Sequence, residues 1–90
     1  MNDARRKEIE AIRTRIDALR NEAESIRGDI STVHSDEQEY RDNMPDSIAE
    51  GEKGQKADSA AEALDSADTA FDDVLEALDE ALSKLDEARA

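Results

Sequence analysis

The chain has 90 residues, a formal net charge of −13, only two aromatic residues and no cysteine. Its length allows one domain with a modest core, and the absence of cysteine excludes disulfides and thiolate metal sites. The negative charge argues against direct binding to nucleic acid or to an anionic membrane, because both are polyanions. It is compatible with a basic protein partner, with mimicry of a nucleic acid, and with adaptation to high salt.

The N-terminal segment has a basic cluster with no apolar segment behind it, so no signal peptide is predicted. The apolar runs along the chain are too short to span a membrane. We therefore expect a cytoplasmic protein.

An apolar heptad repeat predicts a first long helix over residues 3–42, which Asn2 or Asp3 would cap. With Ile9 at position a, the a and d residues form a supercoiling seam. The seam consists of Ile9, Ile12, Ile16, Leu19, Ala23, Ile26, Ile30, Val33 and Tyr40. Gly28 falls at the outward position f.

A charged residue, Glu37, takes one a position of this seam. A single charge in a seam can fix register at some cost in stability. We expect Glu37 to pair with Arg41 on its own helix or with Lys56 across the hairpin.

The predicted turn covers residues 43–51, because proline disfavours helical geometry in the residue before it. Its chain-reversal motif is Asn43, Met44 and Pro45. Ser47 and Glu50 fit a capping box, which predicts one short helical turn. Gly51 and Gly54 mark a second bend, and Gly51 is the predicted N-cap of the next helix.

A second long helix is predicted over about residues 52–87. Its a positions hold Leu64, Phe71, Leu78 and Leu85, and its d positions hold Ala60, Ala67, Val74, Ala81 and Ala88. Leu75 and Leu82 at e widen this apolar face, and a wide face suits a helix that touches more than one neighbour.

The short connection between two long helices predicts an antiparallel, coiled-coil-like hairpin, so the fold class is all-α with residues 1–90 as one domain. Because a lone hairpin leaves the wide face wet, we expect a homodimer that forms an antiparallel four-helix bundle. The predicted core is Ile9, Ile12, Ile16, Leu19, Ile26, Ile30, Val33, Tyr40, Leu64, Phe71, Val74, Leu75, Leu78, Leu82 and Leu85.

Two charged columns flank these seams. The first helix carries Arg13, Arg20, Arg27, His34 and Arg41 at position e. This basic column is either a groove for an anionic ligand or the partner of the acidic second helix, and the second interpretation is favoured because e and g positions set pairing in coiled coils.

The second helix carries an acidic stripe of seven carboxylates. The stripe, our candidate interaction surface, is Asp58, Glu62, Asp65, Asp72, Glu76, Asp79 and Asp86. Neighbours three or four positions apart are about 5–6 Å from each other, which approaches phosphate spacing. The stripe is therefore either a mimic of a nucleic acid or a solvated outer face.

No catalytic, cofactor-binding or metal-binding residue is predicted, and the chain is not expected to be an enzyme. His34 and Glu37, three residues apart on one helix, are the one pair that could act together in catalysis. The sequence has no phosphate-binding loop and no nucleophile motif to accompany them. Carboxylates along a straight helix do not wrap around one calcium ion. The acids near the turn, Asp36, Glu37, Glu39, Asp42 and Asp46, lack EF-hand spacing.

The segment 36–45, which reads DEQEYRDNMP, and the segment 51–57, which reads GEKGQKA, carry a resemblance. Together they resemble small acidic helical-hairpin proteins of bacteria, phages and mobile elements, which share an acidic Glu-Gln segment and an Asn-Met-Pro turn. The resemblance implies a hairpin fold and a mobile-element origin, with no established activity.

We therefore expect a non-enzymatic structural or protein-interaction module that pairs with itself. The alternative is an acidic inhibitor that mimics a nucleic acid and occupies a basic site on a host protein.

Overall fold

The chain forms two long helices joined by a short one in a computed structural model that describes residues 2–90. Helix α1 spans Asp3–Asp42, α2 spans Asp46–Ala49 and α3 spans Glu52–Arg89. The predicted ranges for the two long helices were about 3–42 and 52–87. α1 and α3 lie side by side in a rod of 69 × 14 × 13 Å. The predicted all-α class is confirmed for the described residues, which contain no strand.

Local hydrogen bonds set both ends of α1. The Asn2 side chain accepts a hydrogen bond from the backbone N–H of Arg5 at 2.8 Å, which satisfies one of the free donors of the first turn. At the other end, the backbone N–H of Asn43 donates to the carbonyl of Glu39 at 3.0 Å. The helix ends at Asp42, three residues before Pro45.

The predicted capping box at Ser47 is wrong, because α2 begins at Asp46 with Pro45 as its N-cap and no side-chain cap. Pro45 has extended backbone angles, φ −60° and ψ 150°. Its carbonyl accepts hydrogen bonds from the N–H groups of Ile48 and Ala49 at 2.9 and 2.8 Å. The proline thus reverses the chain and starts the short helix before Ser47 is reached.

The first turn of α3 packs against the backbone of α2. Gly51 is the N-cap of α3, and Gly54 and Ala57 behind it are buried. A Cβ atom placed on Gly54 would lie 1.8 Å from the carbonyl oxygen of Ala49 and 2.8 Å from its Cα. Only a residue without a side chain fits this contact, so Gly54 locks the turn onto α3.

The core of the single chain is much smaller than predicted. Of the fifteen predicted core residues, only Leu75 and Leu82 are buried. The small residues Ala23 and Ala57, which are outside the predicted core, are buried as well. Seven are half-buried: Ile9, Ile16, Ile30, Leu64, Phe71, Leu78 and Leu85. Six are exposed in the single chain, so their burial in the predicted four-helix bundle stays a prediction: Ile12, Leu19, Ile26, Val33, Tyr40 and Val74.

The geometry of a helix explains which residues fall outside this core. Successive residues advance by about 100°, so position e lies about 40° to one side of a, and d lies about 60° to the other side. In α1 the buried and half-buried residues are at a and e, apart from Asp17 at b, whereas the large apolar d residues are exposed. The heptad seam is therefore rotated away from the hairpin interface.

The two glycines of the long helices give a matched pair of predictions. Gly54→Ala forces backbone atoms of α2 away from α3, and we expect a loss of about 1–3 kcal/mol in the free energy of unfolding. A Cβ atom placed on Gly28 would have no heavy atom of a neighbouring residue within 4 Å. Gly28→Ala should therefore raise the free energy of unfolding by up to about 1 kcal/mol through helix propensity.

Urea unfolding followed by circular dichroism at 222 nm measures both changes under the same conditions. Equal effects of the two substitutions, in either direction, would contradict the assignment of Gly54 to a tertiary contact.

Candidate interaction surfaces

One edge of the hairpin carries a ladder of polar contacts between α1 and α3. In six cross-helix pairs the two residue numbers add up to 99, so one antiparallel register extends along the whole rod. The pairs are Glu10–Arg89, Arg13–Asp86, Arg20–Asp79, Arg27–Asp72, Ser31–Asp68 and Arg41–Asp58. The four arginines of the basic column thus pair with α3, as the favoured interpretation of the sequence predicts.

Several arginines of this ladder are held from two sides. The Arg13 guanidinium donates to Asp86 at 2.8 Å and to Asp17, four residues along α1, at 2.7 Å. Arg20 is shared in the same way between Asp79 and Glu24. Arg13 and Arg20 therefore each link an acid of α1 to an acid of α3.

The charge-assisted hydrogen bonds shift the titration of the paired groups. The hydrogen bond from Arg20 holds the pKa of Asp79 below its ordinary value, and that from Arg13 lowers the pKa of Asp86 in the same way. The same bonds raise the pKa values of Arg13 and Arg20. All four groups therefore stay charged in the folded hairpin at neutral pH.

His34 occupies the one position of the basic column that is not an arginine. The register places Asp65 opposite His34, and both line a small surface depression with Gln38, Ala61 and Glu62. Among the described residues, no hydrogen bond or ion pair joins His34 to Asp65. The ladder is thus interrupted at this level.

The acidic stripe is divided by these contacts. Four of its seven carboxylates, Asp58, Asp72, Asp79 and Asp86, form ion pairs with the arginines of α1. Within residues 2–90, Glu62, Asp65 and Glu76 make no ion pair. The structure therefore does not present the stripe as seven free negative charges.

The other acidic candidates are not brought together into a site. Glu37 is half-buried, and over residues 2–90 it forms neither the expected ion pair with Arg41 nor that with Lys56, because Arg41 binds Asp58 and Lys56 binds Glu52. In the same range, no hydrogen bond joins His34 to Glu37. No group of three or more His, Asp or Glu side chains in the described chain is arranged to hold a metal ion.

The edge opposite the ladder carries a row of apolar side chains along α1, from Ile12 to Tyr40. Five large side chains of α1, spaced seven residues apart, form what we term the large column. They are Ile12, Leu19, Ile26, Val33 and Tyr40, with 44, 56, 37, 52 and 55% of their surface exposed. Because d lies on the side of a that is opposite to e, these side chains point away from the arginines.

The d positions of α3 continue this apolar face with smaller side chains. They form what we term the small column: Ala60, Ala67, Val74, Ala81 and Ala88. The arginines at e of α1 meet aspartates at b of α3, so the d positions of both helices lie on the opposite edge. The two columns together are the apolar face of the hairpin.

The turn motif lies at the tip of this face. Asn43, Met44 and Pro45 surround a surface depression together with Tyr40, Ile48 and Lys53. The backbone N–H groups of Asn43 and Met44 bond to α1, and Met44 is half-buried at the end of the hairpin. The motif therefore has a structural part in closing the rod.

Comparison with known proteins gives no relative for this hairpin, since no family profile, curated protein or solved structure matches the chain. None of the described helices combines the length and the apolar character that a membrane crossing requires.

The interruption of the ladder at His34 generates a prediction. His34→Arg supplies a guanidinium opposite Asp65, and we expect the free energy of unfolding at neutral pH to rise by about 0.2–1 kcal/mol. The matched control is the same substitution in an Asp65→Asn background, measured by urea unfolding. A gain of the same size in both backgrounds would mean that arginine acts only through its helix propensity.

Proposed function

We propose that this protein is a non-enzymatic structural or protein-interaction module that assembles as a homodimer in a four-helix bundle. The observation that carries the proposal is the large column, in which five side chains of one helix stay 37–56% exposed at seven-residue spacing. Single apolar residues on a surface are ordinary, but a continuous apolar patch marks an interaction site.

The size of the apolar face fits a stable interface. From Ile12 to Tyr40 the large column is about 42 Å long at 1.5 Å per residue. Two helices packed 8–10 Å apart make the face about 20 Å wide. The resulting area of about 800 Å² per partner matches that of standard protein–protein interfaces.

The direction of the seam also supports a bundle. In an isolated two-helix coiled coil the a and d residues both point at the partner helix. Here a is turned partly towards α3, while d points sideways from both helices onto the same edge. This direction supports a seam shared between two neighbouring helices, as in the interior of a four-helix bundle.

The biological setting belongs to the same proposal. The resemblance of residues 36–45 and 51–57 to small acidic hairpins of phages and mobile elements supports an origin in such an element. We propose that the module acts in the cytoplasm through protein contacts, with no direct contact to nucleic acid or membrane.

Self-association has a direct test. We expect the wild-type chain to sediment as a dimer at micromolar concentration. Leu19→Gln combined with Val33→Gln adds polar groups to the centre of the apolar face, so this variant should sediment as a monomer that keeps its helical circular dichroism.

The matched control is Asn21→Gln combined with Ser35→Gln, which places the same side chains at exposed f positions of α1, on the side away from the apolar face. It should leave the dimer intact. A wild-type chain that sediments as a monomer would contradict the proposal.

The alternative, an acidic inhibitor that mimics a nucleic acid, stays a prediction. Its stripe would depend on Glu62, Asp65 and Glu76, because arginines engage the other four carboxylates. Charge reversal at these three positions should abolish capture of a basic host protein while the ladder stays intact. Capture that survives the reversal would refute the mimic.

A further inference from the structure

The two columns of the apolar face differ in size, and this difference bears on how a second copy docks. The large column carries Ile, Leu, Ile, Val and Tyr, whereas the small column beside it carries four alanines and one valine. We propose that the partner on this face is a second copy whose α3 lies on α1, with both turns at the same end of the rod. This inference rests on the proposed self-association.

The columns are matched level by level. The residue numbers of facing members add up to 100, one more than in the ion-pair ladder. At each level a member of the large column therefore lies beside a member of the small column. The levels are Ile12–Ala88, Leu19–Ala81, Ile26–Val74, Val33–Ala67 and Tyr40–Ala60. The face is therefore a ridge along α1 and a trough along α3.

The trough extends beyond the small column. The next positions outward on α3, at g, include Ala63, Ala70 and Ala77, which are exposed. Together with the small column they form a strip of α3 between Ala60 and Ala81 in which Val74 is the one side chain larger than alanine. A row of large side chains from another helix packs well into such a strip, because facing layers interdigitate when large residues meet small ones.

Symmetry leaves two ways to stack two such faces. A two-fold axis along the rod places α1 of one copy on α3 of the other, keeps the turns at the same end and makes every neighbouring pair antiparallel. A two-fold axis across the rod places α1 on α1 and α3 on α3, with the turns at opposite ends. Both give a closed dimer with the same face buried.

Side-chain volume favours the axis along the rod. In that arrangement each ridge lies in the trough of the other copy, and the interaxial distances are equal on both sides of the bundle. The other arrangement stacks five large side chains on five large ones and alanine on alanine. One pair of helices would then be held apart while the other was drawn together, which leaves voids or strain.

Charge favours the same arrangement. Residues 57–90 contain eleven acids and two bases, whereas residues 1–43 contain eleven acids and eight bases. Placing α3 directly on α3 would bring the two most acidic helices of the dimer next to each other. With α3 on α1, the acidic helices lie diagonally across the bundle, so their repulsion is weaker.

The turn provides the test, because the chain has no cysteine and single labels can be placed at will. Ser47→Cys puts a nitroxide label on exposed α2, and pulsed electron–electron double resonance measures the distance between the two labels of a dimer. With both turns at one end, we expect a distance below about 35 Å, set by helices 8–10 Å apart. Turns at opposite ends would give about 60 Å, the length of a forty-residue helix.

Ser25→Cys, near the middle of α1, is the matched control because both arrangements give a short distance there. A short distance at both positions supports the proposal. A short distance at position 25 with a long one at position 47 overturns the arrangement and leaves the dimer standing. Absence of dipolar coupling at both positions, with sedimentation as a monomer, overturns the dimer as well.

Discussion

Arginine–aspartate contacts along one edge hold α1 and α3 in a single register over the whole rod. These columns alone leave the register ambiguous, because both repeat every seven residues and a slip of one heptad pairs them again. The close contact of Gly54 with Ala49 removes that ambiguity by fixing where α3 begins relative to the turn. The ion pairs thus fix which heptad positions of the two helices face each other. The turn fixes which heptad of α3 lies opposite each heptad of α1.

The same contacts determine what the hairpin leaves exposed. For the arginines at e to reach aspartates at b, the e side of α1 has to face α3, and this turns the d side outward. The long arginine side chains also cover part of the interface with their apolar stems. Consequently the hairpin buries only a few small residues and two leucines, while large aliphatic side chains remain on the opposite edge.

Local features of the sequence predicted most of the fold. The cap at Asn2, the end of α1 before Pro45 and the N-cap at Gly51 all depend on residues within one turn of each other. Pairing of the arginines with α3 followed from complementary columns at equal spacing. Each of these signals lies within one helix or its immediate flank.

The misses depend on tertiary geometry. A heptad shows that Leu19 and Val33 share a face, but it does not show whether that face meets the hairpin partner or a further helix. Gly54 reads as a bend in the sequence, whereas its role is to admit the backbone of Ala49. Ser47 fits a capping box locally, yet the fixed geometry of Pro45 starts the helix earlier.

The acidity of the chain and its apolar face have complementary effects. The acids of α3 outside the ladder lie at positions b, c and f, away from the d and g positions that form the trough. A net charge of −13 on the remaining surface opposes contact between copies everywhere except on the uncharged columns. An exposed apolar face on a neutral rod would promote open-ended aggregation. On this rod we propose that the same face forms a closed pair, because the net negative charge opposes association on the other sides.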